Sequence, residues 1–453
     1  MGIKNIGIFS LRISILLFLL LPELSGFGQE YIRDIINLKG NNSVIRELDK
    51  NNILVASNID DTIVFTQYDE TNTTAISMKF KFNLAGQYTA VSDFEIYKDT
   101  VYFVCTKAIF DDEYQEYVYC GYMGYFPLNG FPNTQVEYIK IENGHANKLA
   151  VYSEVTAPFF THVIMTARNQ SFGFSYLVDA RRVTSTDWKV CYSILDGDDY
   201  VDDVDVTDNY VVATSRKPDL TYQYRVWLMN KPLGGYSALD FCNGYFKFSS
   251  PIAIGRLYVK HCTADGFVAV AKSYPSTLFV QAYDAASITN QYLGTVTIPL
   301  STVFDNAVDL KFNKNTISLD VLCNNPYYTD TLIFPREQHN SIIYKFTVPN
   351  LTSLATVERR TYYDELINSL EYSKNHANVF YGSGNPSEDS QLRIDKYTEP
   401  YRYDCSIQSF VECNQSHSDV KLDKLELSYE CFIKKATSAT PWEAENPIEF
   451  ICE

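Results

Sequence analysis

Long apolar runs are what this chain most plainly lacks: past its first thirty residues, no stretch reaches membrane-spanning length, about 20 residues, without a charge or a proline. No membrane insertion is therefore expected. Basic charge is scarce too, with 38 Lys and Arg against 55 Asp and Glu and a formal net charge of −17. Nucleic acids and anionic membranes are held through a basic face that releases counterions, so neither is an expected partner. The six histidines, at 145, 162, 261, 339, 376 and 417, form no His-x-His or His-Glu-x-x-His group, which disfavours a zinc enzyme. A Gly-x-Ser-x-Gly elbow and a phosphate loop are also missing, which removes the commonest serine-hydrolase and nucleotide-binding readings. Nor does any low-complexity run or linker divide the chain.

The N-terminus carries a targeting signal. Lys4 and Arg12 precede the apolar run from Ile13 to Pro22, and the small residues Gly26 and Gly28 follow. This is the layout of a cleaved secretory signal over 1–28, and it places the remaining chain, 29–453, in the secreted, periplasmic or cell-surface space. Removing Lys4, Arg12 and Glu23 moves the formal charge from −17 to −18. In that setting ten cysteines read as partly disulfide-bonded. With no C-x-x-C pair to suggest metal or redox chemistry, sequence proximity suggests Cys105 with Cys120, Cys242 with Cys262, Cys405 with Cys413, and Cys431 with Cys452. Cys191 and Cys323 are left without an obvious partner.

With 35 Tyr, 28 Phe and many Val, Thr and Ile, the composition favours strands over helices. A repeating plan then emerges. Asp203–Val206 alternates polar and apolar, turns at Thr207–Asn209, and continues as the apolar run Tyr210–Thr214, the pattern of a β-hairpin. It recurs at Asp93–Ile96 with Val101–Cys105, at Asp309–Phe312 with Thr316–Leu319, and at Leu425–Leu427 with Cys431–Ile433. Looser copies are Leu149–Tyr152 with His162–Met165, Leu257–Val259 with Phe267–Val270, and Leu370–Tyr372 with Asn378–Phe380. Third strands follow, as at Arg225–Met229, Leu278–Gln281 and Gln391–Ile394. The spacing of roughly 50 to 60 residues is that of propeller blades.

The expected fold is thus all-β: a single β-propeller of about seven blades, each of four antiparallel strands, with eight blades as the alternative and two stacked β-sandwiches the third choice. The hairpin at Ile53–Ala56 and Ile63–Thr66 comes early for the period. It is expected to be the pair of N-terminal strands that completes the last blade and removes an exposed edge. The recurring Asp-apolar-x-apolar strand, turn and apolar second strand resemble the secreted β-propeller superfamily in its degenerate, non-WD form, over roughly 50 to 453. WD dipeptides, Gly-Gly doublets recurring from repeat to repeat, and the sialidase Asp box are not found; Ser185–Trp188 is the nearest approach to the last.

That resemblance places the first strand of each blade along a central channel, with Asp93, Asp203 and Asp309 at one level and Ser369 and Lys424 at the same position in two later repeats. The structural reading is that these aspartates accept backbone N–H groups at strand starts and blade junctions. The functional reading is a partial acidic ring that binds a cation or polar ligand. Asp196, Asp198, Asp199 and Asp202 supply several carboxylates on one connection, as calcium prefers, but they miss the EF-hand spacing. A solvated acidic turn is favoured, and no cofactor is expected beyond a structural calcium. His162 and His261 are expected to pack in the core. Tyrosines at Gly121–Pro127, Asn325–Tyr328, Thr361–Tyr363 and Pro400–Tyr403 are expected to pack between sheets, with a ligand surface as the alternative. Asn41, Asn72, Asn169, Asn350 and Asn414 stand in N-glycosylation sequons.

The function expected from this sequence is a monomeric, exported binding module for a glycan or protein ligand. Its rival is a propeller glycoside hydrolase or lyase that works with channel-level carboxylates.

Overall fold

Strand formation here rests on β-branched and aromatic residues in short runs bounded by turns, and the described residues lie almost all in strands. The computed structural model describes the strands named below together with residues 98–99, 115, 128–135, 154, 160, 183–186, 195, 207–209, 217, 231, 317, 348 and 351. Strand β1 spans Tyr31–Leu38. The first sheet follows as β2 (Asn41–Asp49), β3 (Asn52–Ile59), β4 (Thr62–Asp69) and β5 (Ala75–Phe80). The second is β6 (Tyr88–Tyr97), β7 (Thr100–Asp111), β8 (Glu116–Pro127) and β9 (Val136–Glu142), and the third β10 (Gly144–Ser153), β11 (Thr161–Asn169), β12 (Ser175–Arg182) and β13 (Asp187–Ile194). The fourth is β14 (Tyr200–Val206), β15 (Tyr210–Arg216), β16 (Gln223–Asn230) and β17 (Tyr245–Ser249). The fifth holds β18 (Ile254–Thr263), β19 (Gly266–Ser273), β20 (Thr277–Asp284) and β21 (Tyr292–Pro299). The sixth holds β22 (Asn306–Asn313), β23 (Ser318–Asn324), β24 (His339–Thr347) and β25 (Ser353–Arg360). In the seventh, β26 (Leu366–Tyr372), β27 (Asn378–Gly384) and β28 (Leu392–Thr398) are joined by β1, which pairs antiparallel with β28.

The four remaining strands, β29 (Tyr429–Lys435), β30 (Thr437–Ala439), β31 (Glu443–Glu445) and β32 (Phe450–Cys452), build no sheet of their own. Each adds an antiparallel outer strand to an existing sheet: β29 to β13, β30 to β9, β31 to β5 and β32 to β1. The C-terminal segment therefore straps the third, second, first and seventh sheets in turn. Among the described residues this makes seven sheets of four or five strands.

The sheets stack face to face because both faces of their middle strands are apolar. In β7, Phe103 and Cys105 point to the first sheet, where they meet Leu54, Ile63 and Phe65. Tyr102 and Val104 point the other way and meet Leu149, Met165 and Trp188 of the third. This is the two-residue period of a strand buried on both sides. The same alternation puts Val211 and Ala213 of β15 against the third sheet and Val212 against the fifth. First strands also pack in sequence: β2 beside β6, then β10, β14, β18, β22 and β26, and β26 lies beside β2.

Two expectations about the repeat are corrected. The residues at 53–66 do not complete the last sheet: they are the middle strands β3 and β4 of the first, and β1 is the N-terminal strand that pairs with β28 of the seventh. The hairpin expected near 428 is not a repeat, because Cys431–Ile433 lies in β29 as an added outer strand; Leu425–Leu427 lies outside the described residues. Both runs are equally apolar, and only the presence of partner strands downstream separates them. The third strands expected at Arg225–Met229, Leu278–Gln281 and Gln391–Ile394 are found in β16, β20 and, from Leu392, β28; Gln391 lies outside the described residues.

The cysteine pairs are also corrected. Cys105 and Cys120 are free, buried thiols. Across β7 and β8, Cys105 faces Tyr122 and Cys120 faces Lys107, so the two sulfurs sit on a diagonal, a separation of about 7–8 Å between backbones that a disulfide does not span. Cys262 and Cys323 are free as well. Cys431 and Cys452 lie on strands of different sheets. Cys242, Cys405 and Cys413 lie outside the described residues.

Candidate functional site: the charged first strands

The first strands carry the acids singled out by the repeat, and a local irregularity sets their position. Pairing registers shift between Val91 and Asp93, between Val201 and Asp203, and between Ala307 and Asp309, each where the first strand meets the second. A bulge of this kind re-aims the next side chain. Each aspartate then makes the same two bonds. Its Oδ1 accepts the N–H of the following residue: Phe94 to Asp93 at 3.0 Å, Val204 to Asp203 at 2.9 Å and Leu310 to Asp309 at 2.9 Å. Its Oδ2 accepts an N–H from the first strand of the next sheet: Leu149 to Asp93 at 3.4 Å, Val259 to Asp203 at 3.0 Å and Leu370 to Asp309 at 3.0 Å. Asp205 repeats the motif, taking Val206 at 2.8 Å and His261 at 2.8 Å.

Every one of these aspartates is therefore a splice between sheets. It satisfies strand donors that no ladder partner reaches, and a buried donor left unmade costs about 1–3 kcal/mol.

Cations complete the arrangement. Arg46 of β2 pairs with Asp93 at 2.6 Å and with Glu95 at 3.2 Å. Lys260 of β18 pairs with Asp205 at 3.1 Å, and Lys311 of β22 with Glu371 of β26 at 2.8 Å. Lys148 of β10 reaches Asp93 at 3.9 Å and is also attracted by Asp203 and Asp309, so acids from three sheets share one field. Burial works against the charge of Lys148, yet those carboxylates hold its ammonium above the usual lysine range. Burial also pushes the Asp203 carboxyl up, to about 6, despite Lys148 and the Val259 N–H. At Asp205 burial is outweighed by Lys260 and by the N–H groups of His261 and Val206, which hold its carboxyl low.

Of the four acids weighed as a calcium loop against the favoured solvated turn, Asp202 is described, and it is already engaged. Its Oδ2 accepts Arg216 Nε at 2.9 Å and the Leu257 N–H at 3.1 Å. Asp196, Asp198 and Asp199 lie outside the described residues. Among the described residues, no group of three or more His, Cys, Asp or Glu is arranged to hold a metal ion.

His162 packs in the core as expected, with an exposure of 0%. Two acids that the sequence did not suggest flank it: Nδ1 meets Asp179 Oδ1 at 2.9 Å and Nε2 meets Glu154 Oε1 at 3.0 Å. The Tyr152 ring stacks on it at 4.8 Å and 5°. His261 is half-buried instead. Tyr122, Tyr125 and Phe126 are buried between sheets, the packing role expected for Gly121–Pro127. Asn169 is buried too, which leaves its sequon out of reach of a glycosyl donor in the folded chain.

A second surface was not apparent from the repeat. Strand β6 pairs with β7 only as far as Ala108, and β9 pairs with β8 only from Gly121. Beyond those points, among the described residues, β7 and β8 pair with each other, Ile109 with Val118, Phe110 with Tyr117 and Asp111 with Glu116. Among the described residues this end of the sheet is a two-stranded ribbon. Phe110 and Tyr117 meet edge to face at 5.3 Å, and Tyr117 is 44% exposed. At its base Tyr119 lies against His145 at 4.4 Å.

No protein-family model matches the sequence, and no curated protein matches it. Among solved structures the chain is similar to the crystal structure of Chaetomium thermophilum Raptor, at 12% identity and a TM-score of 0.45, with 84% of this chain and 30% of that one covered. It is also similar to the C-terminal WD40 domain of Sif2, at 8% identity and a TM-score of 0.44, with 81% and 98% covered. The chain thus spans less than a third of the Raptor chain.

Proposed function

We propose that the chain is an exported, closed, seven-bladed β-propeller that serves as a binding module, with the β7–β8 ribbon as its principal contact. Closure is supported by the packing of β26 beside β2 and by β1 joining β28. The observation that carries the binding reading is the exposed ring of Tyr117, backed edge to face by the half-buried Phe110 on the β7–β8 ribbon. Aromatic rings held rigidly at a surface supply large contact area at little entropic cost, for a protein partner or a glycan. The test is a screen of the full chain against a glycan array and a displayed peptide library, repeated with Tyr117→Ser and Phe110→Ser. Loss of a captured ligand in both variants, with unchanged thermal unfolding, is expected; retention of binding in both would remove the ribbon from the reading.

One observation favours the hydrolase as a second reading: Asp203, with its carboxyl at about 6, has the acidity of a general acid at neutral pH. Against it, both Asp203 oxygens already accept backbone N–H groups. Asp203→Asn distinguishes the two. Abolished turnover of a polysaccharide with unchanged stability supports the enzyme, and lowered stability with no substrate turned over supports the splice.

A further inference from the structure

We propose that Cys191 and Cys431 form a disulfide that covalently fastens the C-terminal strap to the third sheet. In the pairing of β13 with β29 these two residues stand directly opposite each other. Opposed residues of an antiparallel pair are about 4.5–5.5 Å apart, inside the about 4.4–6.8 Å that a disulfide spans between Cα atoms. Cys191 is buried and, unlike Cys105, Cys120, Cys262 and Cys323, carries no free thiol. The contrast with Cys105 and Cys120 is instructive: those two also occupy adjacent strands, but two positions out of register, and both remain thiols.

Formation is an exchange with an external disulfide, either glutathione disulfide or a thiol–disulfide oxidoreductase. The two thiols give up two protons and two electrons as one S–S bond forms, and the S–S bond of the oxidant is cleaved to two thiols. The site of the bond gives it its effect. Strand β29 is the first of the four added strands, so a bond there pins the strap where it begins, while β30, β31 and β32 each pair through a three-residue ladder. The exported setting proposed above supplies the oxidant; the register stands independently of it.

The full chain, produced by export into an oxidising compartment or refolded with glutathione disulfide, is alkylated and digested without reduction. A peptide pair joining Cys191 to Cys431, two hydrogens lighter than the sum of its parts, is expected. Alkylation of Cys191 as a free thiol, or its recovery linked to another cysteine, would overturn the proposal. Amide hydrogen exchange gives the second readout: Cys191→Ser and Cys431→Ser should each lower protection in 429–435 by about tenfold or more, and reduction of the wild-type chain should do the same. Unchanged protection in all three would show that the bond does not fasten the strap.

Discussion

Two buried groups make stability depend on pH in the same direction. Burial alone would depress the His162 imidazolium, but Asp179 and Glu154 outweigh it and raise its pKa above the ordinary 6.5. A group whose folded pKa is raised contributes stability that is complete below its unfolded value and is lost as pH climbs through the folded value. Asp203 obeys the same rule, from about 3.8 unfolded to about 6 folded. Unfolding temperature should therefore fall as pH rises from 5 through neutrality, and the slope should be shallower in His162→Gln, as measured by calorimetry across pH. The splice itself has a separate test. Asp309→Ala strands the N–H groups of Leu310 and Leu370 and should destabilise the chain by about 2 kcal/mol in urea unfolding. The positions of Asp93, Asp203 and Asp309 were legible because one acid-apolar pattern recurs at a near-constant spacing. Their cations were not: Arg46, Lys148 and Lys260 lie in other repeats at unrelated positions, and only stacking of the sheets brings them together.

Elements are limited by how closely they approach. Gly124 of β8 faces Phe103 of β7, and a Cβ built there would sit 2.0 Å from the ring's Cζ, within a fully buried core. Gly124→Ala should cost about 1–3 kcal/mol, read by chemical denaturation, and Phe103→Leu in the same chain should recover part of it. The neighbouring ribbon should behave in the opposite way. Tyr117 is 44% exposed, and Tyr117→Ser should change stability by less than about 0.5 kcal/mol. The sequence disclosed β7 and β8 as an apolar pair, but where β6 and β9 stop pairing with them is a matter of register, which composition does not reveal. Cysteine pairing was hidden for the same reason, since a two-residue offset in register is invisible in spacing.

At the scale of the whole molecule, the repeat was readable and its edges were not. An added outer strand such as β29 has the same apolar signature as a strand inside a hairpin, so the C-terminal run was expected to be one more repeat. Its actual place matters for solubility, because it covers the outer edges of four sheets that would otherwise present unpaired backbone groups. A chain ending at residue 428 should melt at a lower temperature and self-associate, as measured by light scattering after size-exclusion chromatography.

The order of the strap also has a consequence for biosynthesis. The first four strands of the first, second and third sheets are translated long before the outer strands β29, β30 and β31 that join them, and β1, which precedes every other described strand, must wait for β28 before it has an antiparallel partner. Among the described strands, a nascent chain therefore carries open sheet edges until β29–β32 emerge. Stalled or prematurely terminated translation would release products that stick to one another, so holding chaperones should matter most late in synthesis, after the hydrophobic cores have formed.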